Sequence, residues 1–245
     1  MKKIILCLGI VAISLTSCSS SDSSSDGSND VLVKKIVYTS ITDDYTETVQ
    51  FTYNGNKIVR GTYTDGTIDV YTYEGDLITK IETIENDEVV YTETFSYDSS
   101  GRLTQYIADE SGFVEQETFT YNSNGTVTST IDGGSSRTLY IQNDEVIKIV
   151  EAGAGGRIYD YAYDSKNSPF RNVTGYEKIA FVSHGDHEFF GRKQNISTIH
   201  ESTEDIDYMT NTMTYNSNNY PITANSTAIF EFDGTYEATM QYTYY

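Results

Sequence analysis

Apolar and hydroxyl-bearing residues alternate along most of the chain after Val31. In "VVYTETFSY", Val89, Tyr91, Phe95 and Tyr97 fall on one side of an extended chain with Glu93, and Thr and Ser fall on the other. A period of two is typical of a β-strand with one dry face. Turn residues return about every ten to twelve positions, as in a strand meander. The pattern predicts an all-β fold, an antiparallel meander of about 16–19 short strands curled into a barrel-like or half-open sheet, with Tyr and Phe inside.

Tyrosine anchors repeat at a nearly constant interval. Spacings of 20, 24, 24, 20 and 22 residues separate Tyr53, Tyr73, Tyr97, Tyr121, Ile141 and Tyr163. Such a period predicts one hairpin per repeat. The turns "NGN", "EGD", "DSSGR" and "NSNG" follow four of the anchors and supply the Gly or Asn that tight hairpins need. Because the repeat contains no general base or metal-binding set, we expect it to specify shape rather than chemistry.

The regular pattern is interrupted once. It is lost after "YDSKNSPF", residues 163–170, and returns at Tyr215 in "MTYNSNNYPI". We therefore predict a non-repetitive insertion near residues 172–207. Loops on a rigid sheet often bind ligands, so this insertion is where a special site is expected.

The first thirty residues have the pattern of an export signal and a tether. Lys2 and Lys3 precede an apolar run that is too short to span a bilayer, followed by the sequence "LTSC", which ends at Cys18. "LTSC" resembles the lipobox of bacterial lipoproteins, in which the Cys is acylated and becomes the first mature residue. Residues 19–30 are almost entirely Ser and Asp, which favours a flexible tether. We predict a signal peptide at 1–17, a tether at 18–30 and one β domain at 31–245.

Charge and cysteine content restrict the partners. The chain carries a net charge of −20, and loss of Lys2 and Lys3 with the signal would make it −22. Such a domain should repel nucleic acid and anionic lipid headgroups. Cys7 would leave with the signal and Cys18 would carry lipid, so the mature domain is expected to have no disulfide and no thiol nucleophile. The expected membrane attachment is the lipid on Cys18.

The segments "FSYDSSGRLTQY" and "FTYNSNGTVTS" resemble YD repeats, the hairpin units of Rhs-type wall and toxin-shell proteins. Together with the lipobox, the Ser/Asp tether and "YNSNNYPI", they make the chain similar to short lipoproteins of Bacteroidetes, which include a domain of unknown function with a porin-like fold. The resemblance implies export to the outer membrane and transfers no catalytic residue. The chain has far fewer repeats than cargo-enclosing shells, so the resemblance does not imply encapsulation.

The three histidines of the chain fall close together. His184 and His187 lie in "SHGDHEFF", and His200 lies in "IHES" beside Glu201. Imidazole and carboxylate are ordinary zinc ligands, so a divalent-metal site is one interpretation. The spacing matches no metalloprotease helix, and exposed loop histidines are the other interpretation.

No other constellation predicts a reaction. The chain contains no Gly-x-Ser-x-Gly elbow, and acid pairs such as Glu115 and Glu117 are expected by chance in so acidic a sequence. We predict a lipid-anchored outer-membrane protein without a cofactor, a non-enzymatic binding or structural module whose partner is a glycan or a protein. Two alternatives stay open: a metal-dependent enzyme that uses the histidine cluster, and an integral outer-membrane barrel. Short strands and inward acids such as Glu93 count against the integral barrel.

Overall fold

The computed structural model of the chain describes residues 30–131, 134–180, 182, 191–230 and 234–245. These residues form sixteen β-strands and one short α-helix, α1. Their bounds are β1 Val33–Ser40, β2 Tyr45–Asn54, β3 Lys57–Tyr63, β4 Ile68–Glu74, β5 Leu77–Glu85, β6 Glu88–Tyr97, β7 Leu103–Glu110, β8 Phe113–Tyr121, β9 Val127–Ile131, β10 Ser136–Gln142, β11 Glu145–Glu151, β12 Ile158–Tyr163, α1 Tyr176–Ile179, β13 Ile196–Glu201, β14 Ile206–Tyr215, β15 Pro221–Phe230 and β16 Gly234–Tyr244. Among the residues described, no helix has the length and apolar character needed to cross a membrane.

The strands close into a barrel. Each strand pairs antiparallel with the next, and β1 pairs with β16, with Ile36 opposite Tyr242. The predicted all-β antiparallel meander is confirmed, and the sheet is closed rather than half-open. Closure matters because it removes the free edges through which a β-sheet would pair with another chain.

The inner face of the barrel is aromatic and aliphatic. Phe51, Phe95 and Phe119 are almost fully buried on this face, and Ala238 and Met240 face inward on β16. Threonines alternate with these residues and point outward. The alternation read from the sequence therefore separates the inside of the barrel from the outside.

A register shift, typical of a β-bulge, sits beside most repeat anchors. It falls immediately before Tyr53, Tyr73, Tyr97, Ile141, Tyr163 and Tyr215. A bulge bends its strand and increases the local twist. Repeating the bulge once per hairpin curls the meander until its first and last strands meet, which is what the sequence repeat contributes to the fold.

The anchor tyrosines also link neighbouring repeats. Tyr53, Tyr97, Tyr121 and Tyr163 each donate a hydroxyl hydrogen bond to a backbone carbonyl in the preceding repeat, at 2.6, 2.6, 3.0 and 2.8 Å. The acceptors are the carbonyls of Val33, Ile78, Leu103 and Val146, all buried aliphatic residues. Each tyrosine thus ties one hairpin to the one before it.

Removing one of these hydroxyl groups should weaken the barrel measurably. Tyr97→Phe deletes the bond to the Ile78 carbonyl and keeps the ring, so we expect the free energy of unfolding to fall by about 1 kcal/mol. Urea denaturation measures this loss. Tyr140→Phe, on an outward and 40% exposed ring, is the control and should leave stability unchanged. Equal effects of the two substitutions would contradict the linking role.

Between β12 and β13, the described residues 164–180, 182 and 191–195 contain α1 but no strand, and they lie across one end of the barrel, which we call the insertion end. Residues 196–207, which the sequence analysis placed in the insertion, instead form β13 and the start of β14. The insertion end also carries the turns at 55–56, 75–76, 98–102, 122–126, 143–144 and 216–220. The opposite, distal end carries the turns at 41–44, 64–67, 86–87, 111–112, 152–157 and 202–205.

The insertion is packed into the barrel. The Phe170 ring meets Phe51 edge-on at 5.6 Å and stacks on Tyr176 at 4.3 Å between ring centroids. Gly175 has φ 79°, and a Cβ there would lie 2.7 Å from the Asp76 carbonyl oxygen, so this approach requires glycine. These contacts close the insertion end with an apolar plug.

A buried carboxylate holds the end of the insertion. Both oxygens of Glu145 accept backbone N–H groups, from Arg192, Lys193 and Gln194, at 2.8, 2.7 and 2.8 Å. Burial raises the pKa of Glu145, and the three N–H bonds lower it by less. Glu145 begins β11, so this interaction fixes the insertion to the barrel wall.

Candidate functional site

Of the predicted site residues, the structure places only His200. Cys18, His184 and His187 lie outside the described residues. His200 is on the outward side of β13, where its Nδ1 is 2.9 Å from Asp207 Oδ1 and its Nε2 is 3.5 Å from Asp205 Oδ1. The hydrogen bond to Asp207 and the charge of both carboxylates raise the pKa of His200. This is a surface contact between a histidine and two carboxylates, and it becomes an ion pair when His200 is protonated.

Glu201 does not join His200. It is buried, on the opposite side of β13, and its carboxylate accepts the N–H groups of Thr203 and Glu204 at 2.9 and 2.8 Å. The Glu201 carboxylate therefore caps the turn between β13 and β14. Within the described ranges, no group of three or more His, Cys, Asp or Glu side chains is placed to hold a metal ion.

Inward-facing carboxyl groups occur in the distal half of the wall on β4, β6 and β8, whereas Ile199, Met209 and Ala228 form an apolar cluster on β13, β14 and β15. Asp69 is buried and accepts hydrogen bonds from the hydroxyls of Tyr63 and Thr83, each at 2.8 Å. Burial raises the pKa of Asp69 more than these two bonds lower it. Three neighbouring strands are joined through this carboxyl group.

A second carboxyl group is bound to tyrosines. The fully buried Tyr106 donates its hydroxyl to Glu93 at 2.8 Å, and the Tyr91 hydroxyl lies 3.2 Å from that of Tyr106. Burial and then the nearby Glu93 charge raise the pKa of Tyr106 far above its ordinary value. The phenol therefore stays protonated and acts as a donor to Glu93.

A third carboxyl group forms an ion pair inside the wall. Glu117 is 1% exposed, its Oε1 accepts Arg137 Nη2 at 2.8 Å, and the Ser129 hydroxyl also donates to it. Glu115 faces inward on the same strand. Arg137 and Ser129 already bind the Glu117 carboxylate. Glu115 and Glu117 are therefore not arranged as the two catalytic carboxyl groups of a glycosidase.

At the distal end the inner face becomes accessible. Phe113 is on the same face of β8 as Glu115 and Glu117, yet its side chain is 67% exposed, and Tyr45 on the inner face of β2 is 48% exposed. We call these inner-face residues at the distal rim, Tyr45 and Glu47 on β2 and Phe113 and Glu115 on β8, the distal mouth. The sequence pattern did not reveal it, because the exposure of Phe113 depends on contacts between distant strands.

A scan of protein-family models and a search of curated proteins gave no match. Among solved structures, the chain is similar to a porin-like protein from Bacteroides uniformis, with 16% sequence identity and a TM-score of 0.52. The match covers 87% of this chain and 98% of that one. At this identity the likeness concerns the fold alone: the chain has the barrel fold of that porin-like protein.

Proposed function

We propose that this chain is a lipid-anchored protein of the bacterial outer membrane. Its barrel stands in water, attached through Cys18, and acts as a non-enzymatic binding module. The observation that carries the proposal is the polar outer face of the barrel. A barrel that faces water needs a separate anchor, and the lipobox-like "LTSC" would supply it.

The outer face is rich in threonine and charge. On β2 it presents Thr46, Thr48, Gln50 and Thr52, and on β16 it presents Thr239, Gln241 and Thr243. Outward ion pairs join Lys80 to Glu82 at 2.9 Å and Lys148 to Asp160 at 3.0 Å. Transmembrane barrels need an outward apolar band, and a Lys at the bilayer midplane costs about 2–4 kcal/mol.

A second candidate is an integral outer-membrane barrel. The even number of strands, the closed sheet and the likeness to a porin-like protein favour it. The charged pairs in mid-strand on the outer face count against it. The two candidates differ in one property that can be measured: whether the barrel stays with the membrane when the lipid is absent.

Binding is proposed rather than catalysis because of how the polar groups are used. Asp69, Glu93 and Glu117 each already bind neighbouring side chains in the wall. The distal mouth instead exposes apolar side chains to solvent. Such a surface on a rigid sheet is typical of recognition.

We predict that acylation depends on Cys18. Cells grown with an alkyne fatty acid should label the wild-type protein, and Cys18→Ala should abolish the label, because the thiol is the proposed site of acylation. In-gel detection after click chemistry measures it. Persistence of the label in Cys18→Ala would refute the lipobox interpretation.

The anchor itself is tested by a second variant. Residues 31–245 placed behind an ordinary cleavable signal peptide should appear in the soluble periplasmic fraction, since all sixteen strands of the described residues lie between Val33 and Tyr244. If this variant needs detergent for extraction, the integral-barrel candidate is favoured instead. The acylated wild type, extracted only by detergent, is the reference.

A further inference from the structure

Small side chains form a continuous row on the inner face of four adjacent strands. Asn211 on β14 lies opposite Ser226 on β15. Ser226 lies opposite Ala238 on β16, which in turn lies opposite Ser40 on β1. The four residues are 8, 4, 1 and 1% exposed, in that order, and we call them the small-residue row. Because neighbouring strands lie about 4.8 Å apart, the row is about 14 Å long.

The small-residue row interrupts the apolar packing of the barrel interior. On its distal side, Met209 and Ala228 belong to the apolar cluster of β13, β14 and β15. On its insertion side, Ala224 and Met240 belong to the main apolar core. Ala238, within the row, is 1% exposed and yet belongs to neither group. The row is therefore a gap between two apolar clusters on one continuous wall.

One polar atom in the row has no partner. The amide nitrogen of Asn211 donates to the Ile196 carbonyl oxygen at 3.0 Å and lies 3.6 Å from the Met209 sulfur. These contacts fix the orientation of the amide group. Its oxygen, Asn211 Oδ1, is buried and accepts a hydrogen bond from none of the described residues. A buried acceptor without a donor is unfavourable, so a bound molecule with an N–H or O–H group would be stabilised there.

Two tyrosines bridge the row where it crosses β16 and β1. Tyr236 lies two residues before Ala238, on the distal side of the row, and packs against the cluster of β13, β14 and β15. Tyr38 lies two residues before Ser40, on the insertion side, and packs against the main core. Their hydroxyl groups are hydrogen-bonded to each other. Both rings are partly exposed whereas the row is buried, so the tyrosine pair covers this part of it.

We propose that the small-residue row binds one neutral aromatic molecule that carries a single N–H or O–H group, such as an indole or a phenol. The donor binds Asn211 Oδ1, and the ring lies over Ser226 and Ala238. Met209 and Met240 lie on either side and supply the adaptable sulfur contacts that aromatic rings favour. Rotation of the tyrosine pair opens the row. The inference rests on the proposed binding function and names its ligand class.

The chemistry of the row excludes two other ligand classes. The row contains no charged residue, so an ionised ligand would lose its hydration without compensation. A glycan carries many hydroxyl groups, and most of them would meet alanine and methionine side chains rather than hydrogen-bond partners. A flat apolar body with one donor matches one unpaired acceptor between two apolar clusters.

Two matched probes test the donor directly. The protein is the full chain with Cys18→Ala, so that no lipid is attached and no detergent competes for the site. Isothermal titration calorimetry should show saturable binding of indole with one molecule per chain. N-methylindole has the same ring but no N–H, and it should bind at least about tenfold more weakly, because Asn211 Oδ1 then stays unpaired.

Variants locate the site. Ser226→Val fills the middle of the row and should weaken indole binding by about tenfold or more. The matched control is Thr227→Val, on the outer face of the same strand, which should bind indole as the parent chain does. Asn211→Leu removes the acceptor, so indole and N-methylindole should then bind with the same affinity.

Three results overturn the proposal: no saturable binding of indole, equal binding of both probes by the parent chain, or unchanged indole binding in Ser226→Val. Melting temperatures show whether each variant is folded. If Asn211→Leu or Ser226→Val does not fold, the comparison of the two probes on the parent chain decides alone. Fatty-acid labelling at Cys18 depends on none of these results, so failure here is distinguishable from failure of the proposed anchoring.

Discussion

Replacing Arg137 with Met is expected to lower the free energy of unfolding by about 3–5 kcal/mol, the cost typical of breaking a buried ion pair. Arg137 lies 2.8 Å from Glu117, and the two side chains are 17% and 1% exposed. The substitution keeps most of the side-chain volume but removes the cation. The Glu117 carboxyl group would then lie in a low-dielectric wall without that cation.

Urea denaturation at pH 7 measures this effect. The matched control is Lys148→Met, which breaks the outward pair with Asp160, whose side chains are 36% and 42% exposed. Solvent screens such a pair, so the control should lose less than about 1 kcal/mol. A loss in Arg137→Met no greater than that of the control would contradict the prediction.

A double variant separates the charge from the packing. Arg137→Met combined with Glu117→Gln removes both charges, so it should be more stable than Arg137→Met alone, by about 1–3 kcal/mol. If the double variant is as unstable as the sum of the single ones, the loss comes from packing of the arginine stem rather than from the isolated carboxylate.

Local features of the fold could be predicted from the sequence. Each anchor tyrosine is followed by a turn and then by an aliphatic residue, and this pattern indicates one hairpin per repeat. It could be read from the sequence because turn geometry and alternation are encoded within about twenty residues. Gly55 and Gly101 have φ 59° and 70°, as tight turns require. The turns Asn86-Asp87 and Asn143-Asp144 contain no glycine, and all four of their residues have positive φ, which Asn and Asp adopt more readily than most residues.

Contacts between distant residues could not be predicted. Whether the meander stays half-open or closes depends on pairing β1 with β16, whose partners are some two hundred residues apart, such as Tyr38 and Met240. The twist that brings these strands together is the sum of many bulges, and alternation alone does not reveal a bulge. The distal mouth was hidden for the same reason, because exposure of Phe113 depends on what the rest of the barrel leaves uncovered.

The two ends of the barrel differ in the packing of their walls. At the insertion end, aliphatic residues and the plug residues Phe170 and Tyr176 make the continuous apolar core. At the distal end the wall carries carboxyl and hydroxyl groups that hydrogen-bond to one another. On β13, β14 and β15 a second apolar cluster of Ile199, Met209 and Ala228 lies in the same half of the barrel, so both polar and apolar parts of the wall reach the distal end.

Replacing Glu145 with Ala is expected to release the insertion from the barrel wall. The substitution leaves the N–H groups of Arg192, Lys193 and Gln194 without their acceptor, and the cost should be about 3 kcal/mol or more. Hydrogen–deuterium exchange with mass spectrometry should show faster exchange in peptides that cover residues 191–195. Peptides from the distal halves of β6 and β7 should keep their protection.

A graded series tests whether the carboxylate itself is responsible. Glu145→Gln keeps an oxygen that can accept from Lys193 and Gln194, but its amide group faces the Arg192 N–H, so we expect a smaller loss of about 1–2 kcal/mol. Burial raises the pKa of the Glu145 carboxyl above the ordinary value of 4.5. The wild type should therefore lose stability relative to Glu145→Gln as the pH rises from 4.5 through the raised pKa.

The matched control for this series is Glu151→Ala at the distal end of the same strand. Glu151 is exposed and accepts one N–H, from Arg157, at 3.1 Å. Its loss should change exchange only in the neighbouring turn and stability by less than about 1 kcal/mol. Unchanged exchange at residues 191–195 in Glu145→Ala, or equal effects of the two alanine variants, would show that the apolar contacts of Phe170 and Tyr176 hold the insertion without the carboxylate.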